Sequence, residues 1–191
     1  MVLRFAFLLC CIGALSPLWA QEKIERESRL SSSEVPEQAR LCLARIDSQT
    51  RIKWYREEGL TGMSIEAKFS WQKHRYSVEF DSLGSLQDIE IELSWKELDK
   101  ALQDSLHHQL EQECNRHKVR KIQLQYTGDT SDLKQFLLSD SASPKLSTHY
   151  ELVVKCRTDG RYYLYEFLFS EAAVLQSKLK IVFRDSSHLE Y

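Results

Sequence analysis

Two glutamates are the residues of this chain whose positions first suggest chemistry. Glu66 and Glu79 fall on neighbouring strands of a predicted hairpin, so their carboxylates are expected to face each other across it. Glycoside hydrolases use paired carboxylates of this kind as acid and base. Lys68 lies beside the pair and supplies a balancing charge, which is typical of two solvated glutamates. We therefore interpret the pair as part of a surface.

The histidines supply no recognisable ligand set. No two of the 6 histidines have the four-residue spacing that places two imidazoles on one helix face. The sequence also lacks a nucleophile elbow and a phosphate-binding glycine loop. We therefore predict no catalytic residues, no metal site and no cofactor, and we expect the protein not to be an enzyme.

The cysteines leave two interpretations open. Of the 5 cysteines, Cys42, Cys114 and Cys156 lie beyond the apolar N-terminus. An odd number leaves at least one thiol unpaired within a monomer. The three residues are expected either to be buried as small apolar side chains or to include one disulfide.

The first twenty residues have the pattern of a signal peptide, with Arg4 followed by an apolar run from Phe5 to Leu15 and processing expected after Ala20. A lipid anchor at Cys10 or Cys11 is the alternative, but the small residue that lipidation needs before the cysteine is missing. We predict a periplasmic or secreted protein. No other apolar stretch approaches the length of a membrane span, and a formal net charge of −2 gives no reason to expect nucleic acid as a partner.

The rest of the chain contains two copies of one sequence pattern. Tyr76–Phe80 and Tyr165–Phe169 are matched alternating strands 89 residues apart, and a helical stripe and further alternating strands accompany each. The capping-box sequence Ser94–Glu97 begins the second helix. This predicts an α+β fold, a tandem duplication of a helix plus an antiparallel meander, with two helices on a sheet of about eight strands. The predicted segments are a signal peptide (1–20), a flexible leader (21–33), a first repeat (34–93), a second repeat (94–183) with an insertion (127–148), and a tail (184–191).

The first repeat also resembles a known family. The segments Trp54–Glu57, Glu66–Phe69, Tyr76–Asp81 and Gly84–Leu86 are similar to those of small exported bacterial PepSY-like proteins, which share the β-lactamase-inhibitor-like fold. The resemblance covers about residues 34 to 183. It implies an extracytoplasmic, non-catalytic binding or inhibitory module. In the inhibitors that name the fold, the exposed sheet surface and its loops hold a target enzyme.

The sheet face turned away from the helices is the predicted binding surface. Strand alternation gives it mainly acidic residues in the first repeat and basic ones in the second, with aromatics among them. Such a face suits an extracytoplasmic protein or peptide partner, although an ordinary solvated face has the same pattern. The candidate partner-binding residues are Tyr55, Glu66, Glu79, Glu90, Lys155, Tyr162 and Lys180.

A small-ligand carrier is the alternative function. Its apolar pocket would lie between the insertion and the sheet, lined by Phe136, Leu137 and the aromatics of residues Tyr162 to Phe169.

Overall fold

The computed structural model describes residues 21–59, 62–139 and 145–183, and the predicted signal peptide and tail lie outside them. The described chain is α+β and contains nine strands and three α-helices, against the predicted eight and two. The helices are α1 (Glu37–Asp47), α2 (Lys100–Glu113) and α3 (Thr130–Ser139), and none of them is long and apolar enough to cross a membrane. The strands are β1 (Gln21–Leu30), β2 (Lys53–Glu58), β3 (Met63–Trp71), β4 (His74–Asp81), β5 (Leu86–Glu92), β6 (His117–Thr127), β7 (Ser147–Thr158), β8 (Arg161–Ser170) and β9 (Leu175–Phe183).

The same local device precedes α1 and α2. The backbone N–H of Ser31 donates to Glu34 Oε2 at 2.8 Å, and that of Ser94 donates to Glu97 Oε2 at 2.6 Å. Both are capping boxes, which satisfy backbone donors at the start of a helical turn. Each box forms a single 3₁₀ turn, and the α-helix begins after it. The capping box predicted at Ser94 is confirmed, but α2 itself begins later than predicted.

The sheet closes on itself because β1 pairs on both of its sides. β1 runs antiparallel to β2, with Leu30 opposite Trp54, and parallel to β9, with Lys23 opposite Ile181. The remaining strands pair antiparallel in chain order. The prediction of a flexible leader over 21–33 is therefore wrong. Its charged residues disfavour a strand by propensity, but the backbone groups on the edges of β2 and β9 offer hydrogen-bond partners on both sides.

The apolar core lies outside the closed sheet, between its outer face and the helices. α1 and α3 cover the outer face of β2–β5, where Leu43, Val78 and Phe80 are fully buried. α2 covers the outer face of β6–β8, where Leu106, Leu152 and Phe167 are fully buried. The opposite face of the same strands, here called the inner face, lines the interior. Alternation along the strands thus sorts apolar residues outwards and polar residues inwards.

The predicted insertion, 127–148, is largely structured. β6 extends to Thr127, α3 follows, and β7 begins at Ser147. Leu133 and Phe136 of α3 are buried, and the ring centroid of Phe136 lies 4.4 Å from that of Tyr126. α3 therefore extends the core over the first half of the sheet.

The turns that follow β4 and β8 are built alike, at the same offset of 89 residues. Gly84 N–H donates to the Asp81 carbonyl at 3.0 Å, and Ala173 N–H donates to the Ser170 carbonyl at 2.9 Å. Both residues have positive φ, 91° for Gly84 and 58° for Ala173. A bulge lies beside each turn, between Glu79 and Phe80 in one half and between Leu168 and Phe169 in the other. The two halves thus share a helix, a meander and this turn.

Gly84 is expected to tolerate no side chain. A Cβ at this position would lie 2.9 Å from Ala39 N and 2.9 Å from Pro36 Cβ, at a φ of +91°. Gly84→Ala is therefore expected to lower the free energy of unfolding by about 2–4 kcal/mol in urea denaturation. Gly160→Ala is the control, because Gly160 has φ +77° but open space around it. It should cost only about 1 kcal/mol, and equal losses would show that the contact with α1 is unimportant.

Candidate functional site

Four of the predicted partner-binding residues lie in the middle of the inner face, and Lys155 and Tyr162 lie at its exposed end. Tyr55 lies opposite Glu66 and Glu66 opposite Glu79, so the two glutamates do face each other across the hairpin. Glu66 is only 9% exposed, and Glu79 is partly buried. Glu90 lies on the same face, opposite Ser77. These side chains point into a closed sheet, so the predicted open and solvated surface is not present. Local sequence patterns did not predict β1, and β1 is the strand that closes the sheet around them.

Further carboxyl groups meet them inside. Asp88 lies opposite Glu79 because the bulge beside Phe80 shifts the register. Glu151 lies opposite Gln123, and Gln123 Nε2 donates to Glu90 Oε2 at 2.6 Å. Glu166, which is 9% exposed, completes the group from β8. We call Glu66, Glu79, Asp88, Glu90, Glu151 and Glu166 the inner carboxyl cluster.

Lysines balance only part of this cluster. Lys23 Nζ lies 2.6 Å from Glu166 Oε2. Lys68 Nζ lies 2.8 Å from Glu66 Oε2 and 2.7 Å from Glu27 Oε2 on β1. The hydroxyl of Ser77 also donates to Glu66. Two of these ion pairs join β1 to the rest of the sheet, so the cluster and the closing strand are coupled.

Burial and mutual repulsion keep part of the cluster protonated. Burial, followed by the charges of Glu79 and Glu151, raises the pKa of Asp88 to about 8. Burial and the neighbouring Asp88 raise the pKa of Glu90 to about 8. The pKa of Glu151 is also raised, by burial and then by Glu90 and Glu166. At neutral pH these groups therefore hold protons that a solvated carboxyl group would release.

Part of the inner carboxyl cluster is protonated at neutral pH, as a general acid has to be. The cluster nevertheless lies inside the closed sheet. Perturbed carboxyl groups are common at catalytic sites and also occur in structural networks. In the part of the chain that the structure describes, no three His, Cys, Asp or Glu side chains are arranged to hold a metal ion. The contacts of these groups are with each other, with lysines and with the polar side chains of Ser77, Gln123 and Gln125, which is typical of a structural network.

Lys180 lies on the opposite side of the sheet from its predicted place. It pairs with Tyr165, and its Nζ lies 4.4 Å from the ring centroid of Tyr163. The bulge between Leu168 and Phe169 adds one residue to β9 and reverses the alternation beyond it. Lys180 therefore faces outwards, with Lys178, which contacts Glu113 of α2 at 3.0 Å.

Lys155 and Tyr162 are the two candidates that lie on an exposed surface. Lys155 Nζ lies 4.7 Å from the ring centroid of Tyr162, and Tyr162 is 54% exposed. They lie at the end of the closed sheet where β6 begins, β7 ends and β8 begins. Exposed cations surround them on all three strands and the loop before β6. We call this surface the basic end, and its cations are Arg116, Lys118, Arg120, Lys155, Arg157 and Arg161.

Charge is therefore separated along the strands. The opposite end of the closed sheet has acidic residues where strands finish: Glu57 and Glu58 of β2, Asp81 of β4, and Glu171 just after β8. The sequence predicted an acidic first repeat and a basic second one. Because neighbouring strands run antiparallel, strand ends rather than whole repeats share a surface.

A groove extends the basic end towards α2. It has a volume of about 560 Å³ and lies between α2 and the start of β6. Its basic lining residues are Lys100, His107, His117, Lys118, Arg120 and Lys121, with Glu92 and Asp104 as the acidic ones. An extended segment with negative charge would therefore find cations along the groove as well as at the strand ends.

A disulfide fixes the framework behind the basic end. Cys114, at the end of α2, is bonded to Cys156 of β7, with the two Cα atoms 5.6 Å apart. Arg157 N–H also donates to the Arg116 carbonyl at 2.9 Å. Of the two interpretations left open by the sequence, the structure has one disulfide, and Cys42 is a half-buried free thiol.

The packing of α3 counts against the predicted carrier pocket. Phe136 and Leu137 are 5% and 4% exposed and belong to the core under α1 and α3. The aromatics of β8 other than Tyr162, which is exposed, belong to or pack against the separate core under α2. The two groups of residues that were to line one pocket therefore lie in different parts of the structure, each filled by its own side chains.

Comparison with known proteins supports the fold. No family model matches the sequence, and a search of curated proteins finds no match. Among solved structures, a BLIP-like protein from Bacteroides fragilis is similar, at 18% identity and a TM-score of 0.50, over 81% of this chain and 92% of that one. A DUF2874 family protein from Bacteroides ovatus is similar at 12% identity and a TM-score of 0.53, over 76% of this chain and 88% of that one. A protein from Bacteroides eggerthii, described as a candidate periplasmic protein, has 11% identity, a TM-score of 0.53 and the same coverage.

These likenesses agree with the predicted β-lactamase-inhibitor-like fold, since one of the similar structures is BLIP-like. At identities below about one in five they concern the fold alone. The PepSY resemblance stays a prediction.

The inner carboxyl cluster predicts a stability that falls as pH rises. In the unfolded chain the carboxyl groups have pKa values of about 4. Between about pH 4 and 8 the folded protein holds protons that the unfolded chain has lost, so the free energy of unfolding decreases with rising pH. Each fully shifted group contributes up to about 1.4 kcal/mol per pH unit. Urea denaturation from pH 5 to 8.5 measures this.

The matched variants are Glu90→Gln, which keeps a neutral group of the same shape, and Glu58→Gln on the surface. The first should reduce the fall in stability with pH and the second should leave it unchanged. A fall of the same size in both variants would assign the pH dependence to other groups.

The disulfide predicts a large loss of stability on removal. It closes a loop with a sequence separation of 42 residues, which corresponds to about 4 kcal/mol of chain entropy. Replacement of Cys114 and Cys156 by Ala should lower the free energy of unfolding by roughly that amount, whereas Cys42→Ala should change it little. Unaltered stability without the disulfide would contradict its role in fixing α2 to β7.

Proposed function

We propose that this protein is an exported, non-enzymatic binding module that holds an acidic region of another extracytoplasmic protein against its basic end. One observation carries the proposal. Exposed cations on β6, β7 and β8 lie at the same end of the closed sheet as a half-exposed tyrosine, Tyr162. Of the predicted partner-binding residues, Lys155 and Tyr162 form the exposed pair, and they lie in the middle of these cations.

The composition of the basic end suits a protein partner. Cations steer an acidic partner towards the surface, and a tyrosine supplies apolar contact area and a hydroxyl group. Lys155 over the ring of Tyr162 restricts both side chains before binding. The Cys114–Cys156 disulfide holds the strand ends behind them, so little order has to be gained on binding.

Export and a protein partner are also supported by the structural comparisons. One similar structure is BLIP-like and another is described as a candidate periplasmic protein. The signal-peptide pattern in the sequence agrees with an extracytoplasmic location. In that compartment an acidic protein or peptide is the expected ligand, and nucleic acid is not.

Affinity capture with charge-reversed variants tests the proposal. The chain from Gln21 onwards is immobilised, extracytoplasmic extract is passed over it, and the retained protein is identified and its affinity measured. We expect Lys155→Glu with Arg157→Glu to weaken that affinity at least tenfold. The affinity of the unmodified chain should also fall between 50 and 300 mM salt, because surface charges are screened.

The control reverses charge at the opposite end, with Glu58→Lys and Glu171→Lys, both of which are exposed in the structure. This variant should retain the partner as well as the unmodified chain does. Duplex DNA at the same salt concentration serves as a second control ligand. Equal loss in both variants, or tighter binding of DNA than of any protein, would overturn the proposed partner class.

A further inference from the structure

β1 closes the sheet with little buried side-chain area of its own. Among the β1 side chains that the structure describes, only Leu30 is buried, and Arg26 to Arg29 are exposed. β1 is held instead by backbone pairing to β2 and β9 and by the ion pairs Lys23–Glu166, Glu27–Lys68 and Arg26–Glu58, the last of which is exposed. Segments with few buried apolar contacts open at the low end of the range of local unfolding free energies.

The interior that β1 encloses disfavours closure when its carboxyl groups ionise. Negative charges brought together away from water repel each other, and only part of the cluster is paired with lysine. Release of β1 would admit water to these groups. Strand pairing places many charged or titratable residues on the inner face. Among the described side chains they are Lys23, Glu27 and Arg29 of β1, Lys53, Tyr55 and Glu57 of β2, Glu66 and Lys68 of β3, Arg75, Glu79 and Asp81 of β4, Asp88, Glu90 and Glu92 of β5, Lys118 and Lys121 of β6, His149, Glu151, Lys155 and Arg157 of β7, and Tyr162 and Glu166 of β8. From β9 the same face has Ser177, Leu179 and Ile181.

We propose that β1 is a releasable strand, and that the gap it leaves between β2 and β9 is a binding site for an extended peptide with the charge pattern of β1. The site is distinct from the basic end. Its ligand is the β1 segment of a second copy of this chain, which carries the same charge pattern.

The structure defines what the gap accepts. A strand in it must run antiparallel to β2 and parallel to β9. It must also place a cation where Lys23 meets Glu166 and an anion where Glu27 meets Lys68. Backbone hydrogen bonds give affinity in strand addition, and the alternating side chains give specificity.

Release should increase as pH rises. The raised pKa values of Asp88 and Glu90 mean that the closed form holds protons up to about pH 8. If opening restores ordinary pKa values, it releases those protons, and rising pH then favours the open form by up to about tenfold per pH unit for each group. Ion pairs with lysine act in the opposite direction, because they stabilise ionised carboxyl groups in the closed form. They therefore reduce the pH dependence of opening.

Amide hydrogen exchange on the full chain from Gln21 is the first test. After correction for the intrinsic pH dependence of exchange, β1 amides should exchange at least tenfold faster than those in the middle of β7 and β8. This ratio should increase between pH 6 and 8. Glu90→Gln, and Asp88→Asn with Glu90→Gln, should flatten the increase, whereas Glu171→Gln, at an exposed position after β8, should not. If protection of β1 equals that of β7 and does not change with pH, β1 is not releasable.

Peptide binding is the second test and addresses the site itself. A chain carrying Lys23→Glu with Glu27→Lys has a weakened strand of its own. It is titrated at pH 8.5 with a fluorescent peptide of residues 21–30, or with the same peptide carrying that exchange, which has identical composition. The unmodified peptide should bind at least tenfold more tightly. Equal binding, or none while circular dichroism shows a folded chain, would overturn the site, and Lys155→Glu with Arg157→Glu should leave peptide binding unchanged.

Discussion

Backbone hydrogen bonding between β1 and β9 joins the first strand of the sheet to the last, and every other feature of this structure is arranged around that closure. Without it the sheet would have two free edges and an open face. With it, one face of each strand is turned towards an enclosed interior. The distinction between the outer and inner faces then decides where the molecule can be apolar and where it can be charged.

The two faces contribute differently to stability. The outer face supplies the hydrophobic core, because its Leu, Val and Phe side chains are removed from water by the three helices. The inner face holds carboxyl groups whose burial opposes ionisation, and their lysine and glutamine partners offset that only in part. The structure therefore combines a conventional core with an interior whose energy depends on pH.

The arrangement also restricts where a partner can bind. Carboxyl groups in the middle of the inner face are buried or half-buried. The ends of the strands, where the side chains are exposed, are therefore the better place for a partner. In an antiparallel sheet the ends bring together the residues before one strand and after the next. Arg116 becomes a neighbour of the hairpin residues Arg157 and Arg161 in this way, although it lies far from them in sequence.

Local sequence patterns predicted much of the outer architecture. Period-two alternation gave most strands from β2 to β9, and the turn predicted at Asp159 and Gly160 has positive φ at both residues. The capping box at Ser94 was also predicted, whereas the one at Ser31 was not. The burial of Ala39 and Ile46 in α1 agrees with a helical stripe. Cys42 is less buried than predicted, and Leu43 takes its place in the core.

Features that depend on pairing between segments far apart in the chain could not be predicted from local sequence patterns. β1 has a charged sequence with no strand signal, and its place is fixed by two edges that lie far along the chain. The bulges at Phe80 and Phe169 each change the facing of residues by one position, which brought Asp88 inwards and turned Lys180 outwards. Glu90, which follows the first bulge, still lies on the predicted face, whereas Lys180, which follows the second, lies on the opposite one.

The closure of the sheet can be tested directly by nuclear Overhauser contacts in an isotope-labelled chain from Gln21, recorded near pH 6. The structure predicts contacts between backbone protons of β1 and β9 in the parallel register that places Lys23 beside Ile181. It also predicts contacts between Leu30 and Trp54 on the other side of β1. Random-coil shifts for residues 21–30, with no contacts to β9, would contradict a closed sheet and would leave the carboxyl face open to solvent.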